Sequence, residues 1–314
     1  MRMIKNYILL LLILAITIIS GCNVEKKEIK IDLIVKTTES EFWQSLYKGA
    51  KVAADKYGIK LTFSGPEEEA KYKEQEKIFE ERLKTNPQAI ILAAGDYYSM
   101  GDLVANTDIP VILVDSLVQG DDYASFISTD NYNVGVTLAR EVIKRYGTKG
   151  NLGIISYVKN TSTAIDREKG FVDTIKAESH IKLIDTLFCE ADIEKAKRQT
   201  KELIDKNDVD IIVGLNAQST IGIARAIEEL NDKSRQIFVA GVDCVVEQAD
   251  YIEKDIIQVS ILQNPYMMGY YSVVNAYNLL QGYEVEKNIF VNMYIIDKES
   301  LFDKESQELI FPFE

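Results

Sequence analysis

The amino-acid sequence predicts an α/β protein with two doubly wound parallel-sheet lobes joined by three short crossings. Strand and helix patterns alternate along the chain. Two apolar runs, at 89–94 and 111–114, are continuous enough to be buried on both faces, as parallel strands are. The 314 residues hold too many such units for one sheet, so we expect two similar lobes.

Short apolar, β-rich runs are the predicted strands, at 31–35, 60–63, 89–94, 111–114, 152–156, 181–187, 209–213, 237–240 and 256–261. Helical patterns separate them, at 41–57, 70–84, 132–146, 163–177, 191–206, 218–230 and 265–281. Gly58 ends the first helix, since glycine readily takes the left-handed conformation that closes helices.

These elements divide into two lobes. We assign 31–129 with 264–291 to an N-terminal lobe, and 130–263 with 292–314 to a C-terminal lobe. The three crossings are expected near Ser128–Tyr132, Ile261–Asn264 and Phe290–Met293.

The N-terminus has the pattern of a secretion signal. Arg2 and Lys5 precede an apolar run, 7–19, that is too short for a comfortable membrane span. The small pair before Cys22 resembles the cleavage signal of bacterial lipoproteins, which implies that 1–21 is removed and Cys22 is lipidated. Residues 22–30 then form a polar tether, and the body is exported and anchored to the outer face of the cell membrane. An uncleaved signal anchor is the alternative.

Composition excludes several classes of function. The formal net charge of −13 argues against nucleic acid as a partner, because phosphates attract clusters of Lys and Arg. No Cys/His spacing indicates a metal site, and no glycine pattern indicates a phosphate-binding cofactor, so neither is expected. The sequence leaves two alternatives for Cys189 and Cys244, which either form a disulfide or are two small buried thiols.

No catalytic residue is predicted. The sole histidine, His180, lies between a helix and a strand, where it cannot serve as the base of a catalytic triad in a cleft. Asp115 and Asp243 could in principle hydrolyse a glycoside, but nothing around them in sequence suggests an acid with a raised pKa. We therefore do not expect an enzyme.

Ligands of doubly wound sheets bind beyond the carboxyl ends of the strands. The residues at these positions are Lys36–Ser40, Asp96, Asp115–Ser116, Tyr157–Ser162, Asn216–Gln218, Asp243 and Gln263–Asn264. Carboxylates and amides hold polyhydroxyl ligands well, because each offers several hydrogen bonds. Phe42 and Trp43 could cover the apolar face of a sugar ring, or they could pack in the core.

Segments at these strand ends resemble, in the same order, those of the type I periplasmic sugar-binding proteins, the ribose-binding-protein-like family. They are "DLIVKTTESEFWQSLYKGAKVAADKYG", "NPQAIILAAGD", "IPVILVDS", "ISTDNYNVG", "STAIDREKGF", "VGLNAQSTIGIARAI", "VAGVD" and "VSILQNPYMMGY". The resemblance implies a monomeric binding protein that captures a sugar or sugar derivative between closing lobes. It also implies delivery to the permease of an ABC-type importer. The alternative is a sensor that presents the ligand to a histidine kinase or chemoreceptor.

The resemblance also implies a set of ligand-binding residues: Ser40, Phe42, Trp43, Lys36, Asp115, Ser116, Ile165, Asn216, Asp243 and Gln263. Lys36, Ser116 and Ile165 depart from the family pattern. Ser116 and Ile165 stand where ribose binders carry arginine, and Arg167 matches a neighbouring arginine that is usually structural.

Losing two guanidinium groups removes hydrogen bonds worth about 1.5–3 kcal/mol each. We therefore expect a bulkier, deoxy or methylated sugar, or a ligand with an anionic group near Lys36. Structural roles remain open at five positions: Asp115 as a turn cap, Lys36 in solvent, Gln263 bonded to backbone groups, and Asp130 and Asn131 as hinge or cap residues.

Overall fold

A computed structural model describes residues 28–230 and 236–311. The strands are β1 Ile29–Ile34, β2 Ile59–Ser64, β3 Ala89–Leu92, β4 Val111–Val114, β5 Ser125–Ser128, β6 Lys149–Ser156, β7 His180–Phe188, β8 Ile211–Gly214, β9 Phe238–Val242, β10 Val259–Leu262, β11 Asn288–Phe290 and β12 Tyr294–Ile296. The helices are α1 Glu41–Tyr57, α2 Tyr72–Leu83, α3 Ser99–Ala105, α4 Asn131–Tyr146, α5 Ser162–Glu178, α6 Ile193–Lys206, α7 Ala217–Leu230, α8 Val246–Glu253, α9 Pro265–Leu280 and α10 Lys304–Ile310, with a 3-10 turn at Ser300–Phe302. The predictions for the signal 1–21 and for Cys22 lie outside the described residues.

The strands form two six-stranded sheets. The first has the order β11-β5-β4-β3-β1-β2, and every neighbouring pair in it is parallel. The second has the order β12-β10-β9-β8-β6-β7 and is parallel except at its edge, where β12 runs antiparallel to β10. The predicted fold class is confirmed.

Helices cover both faces of the first sheet, as the continuous apolar runs predicted. Along β3, Ile91 packs into a core cluster with α1 and α9, whereas Ile90 and Leu92 pack on the other face with Phe79 of α2. Successive side chains of a strand point to opposite faces. Both faces of β3 are therefore covered by apolar side chains, and its polar neighbours lie beyond the end of the strand.

The chain passes from one sheet to the other after β5, after β10 and after β11. Helix α9 follows β10 of the second sheet but packs against α1, which belongs to the first. Within residues 28–230 and 236–311, no helix has both the length and the apolar character needed to cross a lipid bilayer.

Two glycines allow α1 and α9 to approach closely. A Cβ atom built on Gly49 would lie 1.9 Å from the carbonyl oxygen of Tyr266, and one on Gly269 would lie 1.9 Å from that of Leu46. Both obstacles are backbone atoms, which cannot rotate away. The close contact fixes α1, whose first turn carries Phe42 and Trp43.

Gly269→Ala is expected to lower the free energy of unfolding by about 1–3 kcal/mol, the usual cost of overpacking, although alanine favours helices by up to about 1 kcal/mol over glycine. Thermal unfolding followed by circular dichroism measures the change. Val52→Ala, at an exposed position of α1, is the control and should leave the melting temperature nearly unchanged. A Gly269→Ala protein as stable as wild type would contradict the packing described here.

Candidate functional site

The strand ends of both sheets meet at a small cleft between the lobes. The structure brings eight of the ten predicted binding residues to it: Lys36, Ser40, Phe42, Trp43, Asp115, Asn216, Asp243 and Gln263. It does not bring Ser116 or Ile165 to the cleft surface. The sequence-based binding set missed six other residues that line it: Glu69, Tyr157, Thr163, Arg167, Ala217 and Gln218.

Asp115 is held at the end of β4 in a left-handed backbone conformation, with φ of 63°. Its amide donates to the carbonyl of Ile127 at 2.9 Å, and its own carbonyl accepts from Ser128 Oγ at 2.7 Å. Its carboxylate accepts from Lys36 Nζ at 2.9 Å and from Ser116 Oγ. Ser116 is thus buried behind Asp115 and holds it, rather than lining the cleft.

Asp243 repeats this arrangement at the end of β9 in the second lobe, with φ of 70°. Its amide donates to the carbonyl of Ile261 at 2.8 Å, and Ser260 Oγ donates to its carbonyl. Its carboxylate accepts from Gln263 Nε2 at 2.7 Å and from the amide of Ala217 at 3.0 Å. Left-handed backbone costs about 1–3 kcal/mol for such residues and concentrates at functional sites, so both carboxylates are positioned at an energetic cost.

Lys36 is buried in the cleft and does not reach solvent. Besides Asp115, its Nζ lies 3.5 Å from Thr163 Oγ1 in the other lobe and 5.6 Å from the ring centre of Trp43. Burial alone would lower the pKa of Lys36, but the negative charges of Asp115 and Glu69 outweigh burial and raise it. The ammonium group is therefore charged and already paired.

Arg167 brings a guanidinium group of the second lobe to the cleft. Its Nε donates to Asn131 Oδ1 at 2.8 Å and its Nη1 to the carbonyl of Leu215 at 2.9 Å, while the group lies 5.9 Å from the ring of Tyr157. Ile165 is 41% exposed, in a shallow depression outside the cleft. The structure therefore places Ile165 outside the cleft, whereas Arg167, two residues further along α5, lines it.

The sequence left open whether Phe42 and Trp43, at the start of α1, line the cleft or pack in the core. Trp43 is 2% exposed and belongs to the core, although its Nε1 donates to Glu69 Oε1 at 2.8 Å. Phe42 is half-buried, packs edge-on against Trp43 at 4.9 Å, and lines the cleft. Ser40 precedes them, and its Oγ is buried without a hydrogen-bond partner among the described residues.

The amide side chains of Asn216 and Gln263 also line the cleft. Asn216 accepts from the amide of Ser219 at 2.9 Å and so caps α7, while its Nδ2 donates to Gln218 Oε1 at 2.7 Å. Gln263 uses its nitrogen on Asp243, whereas its buried Oε1 has no donor among the described residues. It is therefore bonded to a side chain rather than to the backbone groups considered from the sequence.

Several other residues serve structural roles. Asp130 caps α4 by accepting from the amide of Asn133 at 3.0 Å, as expected of a cap residue. Asp96 accepts from the amide of Ser99 at 2.8 Å, at the start of α3. Within the ranges described, no group of three or more His, Cys, Asp or Glu side chains is arranged to hold a metal ion.

The two cysteines are free, buried thiols and form no disulfide with each other. Burial raises the pKa of Cys189 and of Cys244 to about 12. Neither thiol is therefore ionised near neutral pH, which suits small packing side chains.

The lobes are in contact around the cleft. The amide of Leu117 donates to Ser162 Oγ at 2.8 Å, and that of Tyr97 to the carbonyl of Asn160 at 3.0 Å. On another side, the amide of Val246 donates to Glu41 Oε2 at 3.3 Å. The structure therefore shows the lobes closed over the cleft.

Asp243→Asn is expected to raise the thermal stability of the ligand-free protein at pH 8. Burial raises the pKa of Asp243, and Arg167 and Gln263 offset only part of this effect. A carboxyl group with a raised folded-state pKa binds more protons when folded, so its ionisation costs stability above its ordinary pKa. The gain should shrink as pH falls through the raised pKa towards 4, because the wild-type group is then protonated too.

Scanning calorimetry at pH 8 and pH 4 measures this difference, with Asp250→Asn on the exposed face of α8 as the matched control. Asparagine tolerates the left-handed backbone, so the substitution adds little strain. A variant that is less stable than wild type at pH 8 would contradict the expectation.

Comparison with known proteins places the chain among binding proteins. Residues 31–284 match the model of the periplasmic binding protein domain. The ribose import binding protein of Haemophilus influenzae is 25% identical over 272 residues, which cover 85% of this chain and 91% of that protein. The structure of an ABC transporter solute-binding protein from Agrobacterium vitis with bound D-fucose is 29% identical, with a TM-score of 0.86 over 90% of this chain and all of that one.

The structure of a XylFII–LytSN complex is also similar, with 25% identity and a TM-score of 0.81 over 87% of this chain and 98% of the matched chain. The family model covers most of this chain, and the two-lobed architecture agrees with it. The chain belongs to the periplasmic binding protein family.

Proposed function

We propose that this chain is an extracytoplasmic lipoprotein that captures a sugar or sugar-like solute between its lobes and delivers it to an ABC-type importer. The observation that carries the proposal is the pair of carboxylates, Asp115 and Asp243, held by opposite lobes at one closed cleft. The family is one of binding proteins, so the chain is not an enzyme, and it implies a location outside the cytoplasm.

The cleft offers what a polyhydroxyl solute requires. Carboxylate oxygens of Asp115 and Asp243 and the free Oε1 of Gln263 accept hydrogen bonds, while Lys36 and Arg167 donate them. Phe42 adds an apolar surface for the C–H face of a ring. A solute that contacts both lobes stabilises the closed form over the open one, and this differential affinity is what closure requires.

The ligand-binding residues are thus proposed to be those of the resemblance without Ile165 and with Arg167 added. Ser116 acts through Asp115. An anionic group beside Lys36 no longer fits, because the ammonium is paired with Asp115 and faces Glu69 as well. We propose that the two lobes, 31–129 with 264–291 and 130–263 with 292–314, move about the three crossings in a monomer.

A second candidate keeps the same binding body but makes it the sensor partner of a membrane histidine kinase or chemoreceptor. The similarity of this chain to the structure of the XylFII–LytSN complex supports this second candidate. Uptake of the radiolabelled ligand by cells with and without the gene distinguishes the two. Loss of uptake supports the importer, whereas intact uptake with loss of a ligand-induced transcriptional response supports the sensor.

Asp243→Asn is expected to weaken binding of the true ligand at least about tenfold, about 1.4 kcal/mol, because it removes a charged acceptor from the second lobe. The ligand is identified first, by a thermal-shift screen over sugars, deoxysugars and polyols, or by mass spectrometry of material retained through purification. Titration calorimetry then compares wild type, Asp243→Asn and the control Asp250→Asn. Near-normal affinity in Asp243→Asn would refute the site assignment.

Cys22→Ser is expected to abolish membrane attachment, because the acyl chains that anchor a lipoprotein are attached through this thiol. Wild-type protein should partition into the membrane fraction and take up a labelled fatty acid, whereas the variant should do neither. Cys244→Ser, which alters a buried thiol in the body, serves as the control. A Cys22→Ser protein that still incorporates the fatty acid would refute lipidation at this residue.

A further inference from the structure

Beside the cleft lies a strongly acidic mouth, which shares Glu69 with the cleft and which we define by seven further carboxylates: Glu39, Glu41, Glu67, Glu68, Glu190, Asp192 and Glu247. The first four belong to the N-terminal lobe and the others to the C-terminal lobe. Lys71 pairs with Glu67 and Glu68, Lys195 lies 3.9 Å from Glu190, and Arg225 pairs with Glu247, but all three cations lie outside the lining. Among the described residues that line the mouth, none is Lys or Arg.

Inside the cleft, the charges are not balanced either. Two cations, Lys36 and Arg167, stand against three carboxylates, Asp115, Asp243 and Glu69. Lys36 is bound to Asp115 at 2.9 Å, and the charge of Arg167 acts most strongly on Asp243 among the carboxylates. Glu69 is left without a cation of its own.

Glu69 accepts a hydrogen bond from Trp43 Nε1, and no Lys or Arg nitrogen of the described residues forms an ion pair with it within 4.0 Å. Burial raises the pKa of Glu69, and the attraction of Lys36 does not cancel this effect. A carboxylate in this position gains from a cationic partner supplied from outside the protein.

An independent observation also indicates a missing donor. Gln263 is 1% exposed, its amide nitrogen is used on Asp243, and its Oε1 lacks a donor among the described residues while facing the same cleft. A buried acceptor without a partner costs about 1–3 kcal/mol. The cleft is therefore short of hydrogen-bond donors as well as of positive charge.

We propose that the solute is a sugar bearing a protonated amino group, which lies against Glu69, while its hydroxyl groups satisfy Gln263 and the strand-end carboxylates. This inference rests on the proposed function and names its substrate class. An ammonium group has three donors and a full positive charge, and its hydrogen bonds to carboxylates are about twice as strong as neutral ones. A hydroxyl group could donate to Glu69 but would leave its charge uncompensated. Sugar acids and sugar phosphates would add to the excess of negative charge.

Calorimetry at pH 7 tests the proposal with D-glucosamine, D-galactosamine and 6-amino-6-deoxy-D-glucose, each beside its parent hexose; the first two are also compared with their N-acetylated forms. At least one amino sugar should bind about tenfold or more tightly than its parent, and N-acetylation at C2, where tested, should abolish that gain because it removes the charge. Glu69→Gln keeps an acceptor for Trp43 but removes the charge. It should weaken the amino sugar about tenfold and the parent hexose less than about threefold.

Glu68→Gln is the matched control, because it removes one charge from the same loop at an exposed side chain paired with Lys71. It should change both affinities less than about threefold. The inference is overturned if neutral hexoses bind but no amino sugar binds more tightly than its parent, or if Glu69→Gln weakens both ligands equally. If none of these sugars binds but another solute of the thermal-shift screen does, the inference is overturned as well. If no sugar, deoxysugar or polyol binds the wild type, the proposed function itself fails.

Discussion

The buried ion pair between Lys36 and Asp115 determines the electrostatics of the cleft. Two charges withdrawn from water are tolerated only when each has a partner and further hydrogen bonds. Asp115 meets this condition through Lys36 and Ser116, and Lys36 through Asp115 with Thr163 at longer range. In the sequence, Lys36 looked like a free positive charge that departs from the family pattern. In the structure its ammonium group is bound to Asp115 and holds that carboxylate in place.

The same physical arrangement occurs in both lobes, at Asp115 and at Asp243. In each, a parallel strand ends in a left-handed aspartate, and a serine of the next strand in the sheet, Ser128 or Ser260, donates to its carbonyl. The backbone hydrogen bonds of the strand hold the strained residue, and the serine satisfies the carbonyl that the turn exposes. Two similar lobes facing each other therefore place two carboxylates at one cleft, although the strands that carry them belong to different sheets.

Sequence patterns predicted the long elements and most strand ends, since these depend on local periodicity. Helix α1 was predicted with its observed bounds, and Asp115, Asn216, Asp243 and Gln263 follow directly from the rule for parallel sheets. The short strands β5, β11 and β12 were missed because three or four residues carry too little pattern. Their pairing is decided by neighbouring strands that are distant in the sequence.

Arg167 and Glu69 were missed for different reasons. Residues two apart on a helix point in nearly opposite directions. Ile165 lies on the exposed face of α5 and Arg167 on its buried face, so the sequence-based choice of Ile165 selected the exposed face. The signal was present in the spacing of Thr163, Arg167 and Gly170, which follows the buried stripe of α5. Glu69 lies in a loop between β2 and α2, where no periodicity indicates direction. Only the three-dimensional arrangement brings it to Trp43 and the cleft.

The contacts between the lobes explain why closure should depend on a solute. Two of them, Leu117 to Ser162 and Tyr97 to Asn160, are neutral hydrogen bonds, which replace bonds to water and contribute about 0.5–1.5 kcal/mol each. Lys36 forms an ion pair with Asp115 of its own lobe, and the charge of Arg167 acts on Asp243 of its own lobe. Among the described residues, no ion pair within 4.0 Å joins the two lobes. Across the mouth, carboxylates of the two lobes repel each other. A solute that bonds to both lobes would therefore add favourable free energy to the closed form, as the proposed function requires.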